Sequence, residues 1–377
     1  MAINPERLAS VFTTLCEIDS PPKQEGRVAA YLKSLFTAMG AQVLEDDSAA
    51  ATGSDCGNLI VRFPDGGLAK EPVFFNCHMD TVQPATGVQV KREGEVFTSA
   101  GNTVLGSDDK AGIAALIEVM RSLQEGNVPY APVEYIFTTC EEVGLLGVKA
   151  LDYSQVRAKI GYALDSSGIN RVVVGAPAAN RITAEIKGIA SHAGLSPEKG
   201  ISAIHIAAKA IARLDLGKID RESTANIGLF KGGTATNIIP ESAIVEGEVR
   251  SHTMSLLQKH TESIESVFRE EVENWSDHEG NAQGRPSLEF TVKNEYPVMK
   301  LDMESAVIKR VAAAAASLNR ELDYVVAGGG SDANIFNAHS IQCAILSTGM
   351  DKVHSTNETI KLSDMALTAD LVMAILT

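Results

Sequence analysis

The sequence predicts an α/β protein of two domains, a larger domain with a mostly parallel sheet and an inserted ferredoxin-like α+β domain. Near both ends of the chain, short apolar runs alternate with helical patterns, which is typical of helices packed on a parallel sheet. Between them the order is strand, helix, strand, strand, helix, strand, as in a ferredoxin-like unit. At 377 residues the chain exceeds the length of most single-core domains.

The composition changes near Ala176, and the helical pattern of the larger domain returns from Met303. We therefore predict that residues 1–179 and 294–377 form the larger domain. Residues 180–293 are predicted to be inserted into it as a compact domain of their own.

The expected elements follow from hydrophobic periodicity, which is 3.6 residues in helices and 2 in strands. In the helix expected at Ala111–Leu123, the apolar positions 113, 116, 117, 120 and 123 lie on one face. The larger domain is expected to contain, in order, helices within Pro5–Met39 interrupted at Ser20–Pro22, strands at Asn58–Phe63 and Pro72–Cys77, the helix at 111–123, strands at Val133–Thr139 and Ile160–Leu164, a helix at Met303–Leu318, then a strand, a glycine-rich loop, a helix, a strand at 341–346 and a last helix from Ser363. The inserted domain is expected to contain a strand at Arg181–Lys187, a helix at Ile201–Leu214, strands at 224–230 and 243–250, a helix at Ser255–Asn274 and a strand at Ser287–Val292.

The charge and composition argue against several classes of protein. A formal net charge of −15 disfavours a nucleic-acid surface, which needs a basic stripe, and an anionic membrane surface. No apolar run reaches the roughly 18 residues of a membrane span, and the first residues lack the pattern of a signal peptide. The five cysteines are scattered without a CxxC pair, which is typical of reduced thiols. We therefore expect a cytoplasmic protein.

A histidine and a carboxylate follow the strand that ends near Cys77. His78 and Asp80 are two residues apart, so in an extended chain their side chains project on the same side. A histidine with such a neighbour can ligate a metal while the carboxylate orients its ring. The alternative is an ordinary histidine near the surface.

Paired acidic residues occur at two further places. Asp108 and Asp109 precede the helix at 111–123, where one aspartate would suffice as an N-cap, and a carboxylate at such a turn can instead bridge two cations. Glu141 and Glu142 follow the strand at 133–139 and repel each other unless cations or protons intervene. One can ligate a metal while its neighbour deprotonates water, or both can lie in a solvated loop.

Asp165 and His354 also follow predicted strands. Groups at the carboxyl ends of parallel strands meet at one edge of the sheet, where sites form. The two histidines, together with Asp108, Asp165 and one glutamate of the Glu141–Glu142 pair, offer nitrogen and oxygen donors without a thiolate. Such a set suits zinc, with cobalt or manganese as alternatives. If one carboxylate is shared, the set makes two metal sites of three protein ligands each.

Seven short motifs, in order along nearly the whole chain, resemble those of the M20 family of co-catalytic metallopeptidases, most closely its peptidase T-like (tripeptidase-like) branch. The motifs are HMDTV, GSDDKAG, EEVGLLG, ALDSSG, GIASHAG, GGTATNIIP and VHSTNE. The resemblance implies a catalytic domain that holds two metals and an inserted lid domain that dimerises.

The resemblance also implies which residues bind each metal. His78, Asp108 and Asp165 would bind one ion. Asp108, Glu142 and His354 would bind the other, so that Asp108 bridges the two. The family has a cis peptide bond directly after this bridging aspartate.

Three residues would act in catalysis by the same resemblance. Glu141 would be the general base, and Asp80 would be the partner of His78. His192 would reach from the lid of the other subunit and support the developing oxyanion. The chain is therefore expected to form a homodimer through residues 180–293.

Four residues are similar to substrate-binding residues of the family. Asn237 and Arg250 would hold the substrate, since a guanidinium can bond a C-terminal carboxylate through two nitrogens. Ser331 and Asp332 follow a run of three glycines that would let the backbone approach a ligand closely. The alternative for this loop is a plain strand-to-helix turn with Ser331 as the cap.

The expected function is hydrolysis of a peptide bond in small peptides, through a water between the two metals that Glu141 deprotonates. One alternative is an amidohydrolase of the same family that acts on N-acyl amino acids or other small amides. A second alternative is a metal-binding dimer without catalysis.

Overall fold

The computed structural model describes residues 3–64, 66–277 and 280–377. The chain divides into two compact units. The first unit consists of Met1–Ala176 and Met299–Thr377, and the second of Pro177–Val298. Among the described helices, none combines the length and the apolar character that crossing a membrane would require.

Helices and strands are numbered separately along the chain. The helices are α1 (Pro5–Cys16), α2 (Gly26–Ala38), α3 (Ala49–Thr52), α4 (Ser107–Glu125), α5 (Leu146–Lys149), α6 (Ala203–Ala212), α7 (Met254–Glu273), α8 (Ala306–Ser317), α9 (Asp332–Ala338) and α10 (Leu362–Leu376). The strands are β1 (Gln42–Glu45), β2 (Leu59–Arg62), β3 (Val73–His78), β4 (Val90–Glu93), β5 (Val96–Ser99), β6 (Val133–Thr138), β7 (Ile160–Ser166), β8 (Arg171–Ala176), β9 (Ala178–Lys187), β10 (Gly217–Lys218), β11 (Ser223–Gly232), β12 (Ser242–Ser251), β13 (Ser287–Tyr296), β14 (Met299–Lys300), β15 (Asp323–Val326), β16 (Gln342–Ser347) and β17 (Thr359–Lys361).

A mixed sheet runs through the first unit. Its strand order is β1-β2-β6-β3-β7-β16-β8-β14, and β15 pairs with β8. The central strands β6, β3, β7 and β16 are parallel to one another. On one side β2 and β1 join this group antiparallel, and on the other side β8 and β14 do the same. The carboxyl ends of the four central strands therefore lie along one edge.

Helix α4 packs closely on the central sheet because its first full turn carries a glycine. A Cβ atom at Gly112 would lie 2.8 Å from the Sγ atom of Cys77 on β3 and 2.8 Å from the Cβ atom of Leu164 on β7. Such distances are shorter than any real Cβ contact, so another residue would push the helix away from the sheet. This glycine of the GSDDKAG motif thus sets how near the start of α4 comes to the sheet edge.

The second unit has the predicted ferredoxin-like fold. Its sheet has the order β10-β11-β12-β9-β13, with antiparallel pairing throughout. Helices α6 and α7 pack against β9 and β12 and enclose an apolar core that includes Ile182, Val245 and Phe268.

Some elements differ from those expected from the sequence. The helix expected from Ala111 begins at Ser107, with non-helical backbone at Asp108 and Asp109. The peptide bond between these two aspartates is cis, as the family resemblance implied. Strand β8 and the small sheet β17-β5-β4 were not expected. The strands of this small sheet have mostly polar or exposed positions, so their hydrophobic pattern is weak.

Candidate metal centre

The five predicted metal ligands lie at the carboxyl-end edge of the central sheet. His78 ends β3, Glu142 follows β6, and Asp165 is the penultimate residue of β7. Asp108 lies at the start of α4, and His354 lies in the loop after β16. Because these four strands are parallel neighbours, their ends bring the ligand-bearing segments together.

Asp108 lies between the two histidines. Its Oδ1 atom is 2.9 Å from Nε2 of His78, and its Oδ2 atom is 3.2 Å from Nε2 of His354. The same His354 nitrogen is 2.9 Å from Oε1 of Glu142. Each carboxylate oxygen of Asp108 faces a different histidine, which is the geometry that a bridge between two cations needs.

These side chains form two groups that could each hold a metal ion. His78, Asp108 and Asp165 offer ligand atoms within 4.8 Å of one another, and so do Asp108, Glu142 and His354. The donors are imidazole nitrogens and carboxylate oxygens, a set that suits zinc, cobalt or manganese. The residues therefore fit two divalent ions that share Asp108.

Glu141 lies beside both groups. It offers a carboxylate oxygen within 4.8 Å of ligand atoms of His78 and Glu142. Its side chain is 9% exposed and lines the same cavity as Asp108, Glu142 and His354. This cavity has a volume of about 550 Å³, within the usual range of small-ligand sites.

Burial and mutual contacts shift the pKa values of the centre in opposite directions. Burial raises the pKa of Asp108, but hydrogen bonds from His354 and His78 outweigh it and hold that pKa below its ordinary value. The hydrogen bonds to Asp108 and Glu142 raise the pKa of His354 to about 10. Burial, with a neighbouring carboxylate as a further cause, raises the pKa of Glu141 well above its ordinary value. The protein groups alone therefore carry more protons than isolated side chains would.

Asp80 holds the loop that carries the two glutamates. Its carboxylate accepts hydrogen bonds from the backbone N–H of Glu141 at 2.9 Å and of Glu142 at 3.1 Å. The Nδ1 atom of His78 lies 2.9 Å from the backbone carbonyl oxygen of Asp80 and 3.5 Å from its carboxylate. Asp80 thus contacts His78 mainly through its backbone, and it fixes the next loop through its side chain.

Glu358 is a buried carboxylate whose role the sequence did not indicate. It accepts hydrogen bonds from the backbone N–H of Leu105 and of Gly106, each at 2.8 Å. It also accepts from the Oγ–H of Ser107 at 2.5 Å and from the N–H of Asp108 at 3.2 Å. Glu358 belongs to the VHSTNE motif, but its spacing from His354 could not show that its side chain bonds a loop some 250 residues earlier in the chain. Glu358 ties the His354 loop to the Asp108 loop.

The glycine-rich loop before α9 presents Ser331 and Asp332 differently. Ser331 lines the cavity and caps α9 by accepting a hydrogen bond from the N–H of Ala333 at 3.2 Å. Asp332 is 2% exposed, and its carboxylate accepts hydrogen bonds from the side chains of Thr138 and Asn76. Burial raises the pKa of Asp332 to about 6. Asp332 therefore anchors this loop to β3 and β6.

The remaining predicted residues lie in the second unit. His192 is exposed and forms an isolated bridge with Ile238, and the N–H of Ala193 donates to the carbonyl oxygen of Asn237 at 2.9 Å. His192 and Asn237 are therefore close together. The guanidinium of Arg250 is paired with the carboxylate of Glu248, with an Nε–Oε1 distance of 2.9 Å.

An α/β fold whose sheet edge carries two sets of nitrogen and oxygen ligands around one shared carboxylate, with a further glutamate beside them, is typical of a metal-dependent hydrolase. The model of peptidase family M20/M25/M40 matches residues 74–377.

Three similar proteins match almost the whole chain. The crystal structure of aminopeptidase PepT from Bacillus cereus ATCC 10987 is 40% identical with a TM-score of 0.88, covering 99% of this chain and 98% of that one. The crystal structure of a tripeptidase from Staphylococcus aureus subsp. aureus Mu50 is 36% identical with a TM-score of 0.92, covering 100% and 98%. The uncharacterized protein YqjE of Bacillus subtilis (strain 168) is 39% identical over 375 residues, covering 99% and 98%.

The chain belongs to peptidase family M20/M25/M40. The family predicted from the seven motifs is therefore confirmed, as is its peptidase T-like branch.

Proposed function

We propose that this chain is an aminopeptidase- or tripeptidase-like enzyme that hydrolyses a peptide bond of small peptides with two divalent metal ions. The observation that carries the proposal is the position of Asp108, with one carboxylate oxygen directed at each histidine. The likeness to PepT and to a tripeptidase over nearly the full chain supports small peptides as substrates.

The proposed metal ligands are His78, Asp108 and Asp165 for one ion, and Asp108, Glu142 and His354 for the other. Zinc is the proposed metal, since two of the five ligands are histidines. When bound, such ions would polarise the scissile carbonyl group and lower the pKa of a water between them.

Glu141 is the proposed general base. It lies beside both ligand groups, and neither group needs it to reach three protein ligands. Its carboxylate would accept a proton from the attacking water as the water oxygen bonds to the carbonyl carbon. As the carbon–nitrogen bond breaks, the same carboxyl group would donate that proton to the departing amine. Asp80 would keep Glu141 in place through the hydrogen bond to its backbone N–H.

Residues of the second unit are proposed to complete the function. His192 would support the oxyanion, and Asn237 and Arg250 would hold the substrate, in a homodimer formed through residues 180–293. In the first unit, Ser331 lines the cavity and would contact the substrate, and Asp332 would hold the loop that carries Ser331. The exposed side chains of His192 and Asn237 and their mutual proximity support the roles proposed for these two residues.

A cytoplasmic location is proposed because all five cysteines are free and buried.

Glu141→Gln tests the proposal. The variant should bind two metal ions per chain like the parent protein, while turnover of a small peptide falls by a factor of about 10² to 10⁴. The exposed Glu321→Gln is the control and should change neither property. A panel of di- and tripeptides and N-acyl amino acids separates a peptidase from an amidohydrolase. Unchanged turnover in Glu141→Gln would refute the role of the base, and the absence of any amide cleavage would refute the proposed function.

A further inference from the structure

Part of the cavity wall is a row of aliphatic side chains. Val173 on β8 is paired with Val325 on β15 and with Ile345 on β16, and all three line the cavity. Residues paired across neighbouring strands have side chains on the same face, about 5 Å apart. The three side chains therefore form one continuous apolar strip.

The strip is extended by a fourth aliphatic side chain. The pairing of β15 with β8 shifts between Val325 and Val326, and such a shift can turn consecutive side chains toward one side. Val326 also lines the cavity and is 61% exposed. An apolar side chain that is left this open at a cavity wall gains from contact with an apolar ligand.

One cationic side chain stands at the end of the strip. Arg171 lies two residues before Val173 on β8, so its side chain projects on the same face about 7 Å away. Among the lining residues in the described part of the chain, it is the single arginine or lysine. Its ion pair with Asp323 is long, at 3.9 Å, and both side chains are more than half exposed. This pair therefore leaves the guanidinium available to a ligand.

We infer that the strip and Arg171 form a side-chain subsite that determines specificity. The subsite prefers an aliphatic side chain of the peptide substrate, and Arg171 makes it accept an acidic side chain better than a basic one. The inference rests on the proposed peptidase function and adds its substrate class.

The charge balance of the cavity supports this preference. Four carboxylates line it, those of Asp108, Glu141, Glu142 and Asp165, and two divalent ions would balance them. The guanidinium of Arg171 then sets the sign of the charge that a substrate side chain meets. A lysine side chain laid along the strip would bring its ammonium group toward this guanidinium, whereas a glutamate would bring a carboxylate.

The test measures kcat/KM for three tripeptide series in which one position is Leu, Glu or Lys and the other two are Ala. In the parent protein, Leu should give the highest kcat/KM at one of the three positions. At that position, Glu should give a higher kcat/KM than Lys. Arg171→Glu should reverse the ratio of the kcat/KM values for Glu and Lys at that position, with a total change on the order of tenfold. Val326→Ser should lower the preference for Leu and leave the ratio of Glu to Lys unchanged.

Arg27→Glu is the matched control. Arg27 is 68% exposed and has a similarly loose ion pair with Asp19, at 3.5 Å, but it lies on α2 and does not line the cavity. Its substitution should leave every ratio unchanged. If the parent protein cleaves peptides and Arg171→Glu alters the Glu to Lys ratio at no position, the subsite inference is wrong and the peptidase proposal stands. If the parent protein cleaves none of the peptides, the peptidase proposal itself fails.

Discussion

Replacing Glu358 should weaken both the fold and the metal centre, although this residue is in neither ligand group. Its side chain is 2% exposed and accepts four hydrogen bonds from the segment that ends at Asp108. Hydrogen bonds to a charged group contribute about 1.5–3 kcal/mol each, and a buried donor left without an acceptor costs about 1–3 kcal/mol. The four bonds share one carboxylate and water can enter the space left behind, so these values do not add.

We expect Glu358→Ala to lower the free energy of unfolding by about 3–5 kcal/mol. Glu358→Gln keeps the side-chain volume and one acceptor oxygen, so it should cost about 1–3 kcal/mol. Because the N–H of Asp108 loses its acceptor, metal affinity in the Gln variant should fall about 10- to 100-fold. Urea unfolding of the metal-free protein measures the first effect, and competition with a chromophoric chelator measures the second.

Glu134 provides a control for burial alone. It is 4% exposed and accepts hydrogen bonds from the Nε–H of Arg62 at 2.7 Å and from the N–H of Arg157 and Ala158 at 2.9 and 3.0 Å. Glu134→Gln should therefore destabilise the fold comparably and leave metal affinity unchanged. If both variants lower metal affinity equally, or if Glu358→Gln binds metal as tightly as the parent, the positioning role of Glu358 is refuted.

Two further predictions concern the second glycine of the EEVGLLG motif, Gly147, and the protonation of the centre. Gly147→Ala should destabilise the fold by about 1–3 kcal/mol in urea unfolding, because the new Cβ would lie 2.2 Å from the backbone oxygen of Thr139; an unchanged midpoint would contradict this. Metal binding near pH 7.5 should release protons, because the pKa of His354 is raised from 6.5 to about 10 by its hydrogen bonds to Asp108 and Glu142. The same bonds stabilise the metal-free protein below pH 6.5, and this stabilisation should be lost as the pH rises toward 10. Calorimetry in buffers of different ionisation enthalpy measures the released protons, and equal heats in all buffers would refute the prediction.

The sequence predicted the centre well where a ligand directly follows a hydrophobic strand. His78 and Asp165 end buried strands, and Glu142 follows one, so strand periodicity placed them at the same sheet edge. Their spacing in the sequence could not show which atoms face each other. That each Asp108 oxygen faces a different histidine is visible only in the folded structure.

The supporting contacts were not predictable from local pattern. Asp80 is two residues from His78, so a sequence argument pairs their side chains. In the structure the carboxylate of Asp80 bonds backbone N–H groups about 60 residues away. Asp332 follows a glycine-rich loop that predicts contact with a ligand, yet its side chain turns inward to Thr138 and Asn76. Hydrogen bonds between distant loops follow from the tertiary fold and leave no periodic pattern in the sequence.

Buried carboxylates outside the two ligand groups thus hold three segments of the centre. Asp80 holds the Glu141–Glu142 turn, Glu358 holds the start of α4, and Asp332 holds the loop before α9. A buried carboxylate is costly unless its oxygens are hydrogen-bonded. Backbone N–H groups of the neighbouring loops supply most of these bonds to Asp80 and Glu358, and the side chains of Thr138 and Asn76 supply them to one oxygen of Asp332. For Asp80 and Glu358 the same hydrogen bonds thus offset the cost of burying the charge and restrain the loop. Because these bonds are made by the protein alone, the ligands are held close to their working positions before any metal binds.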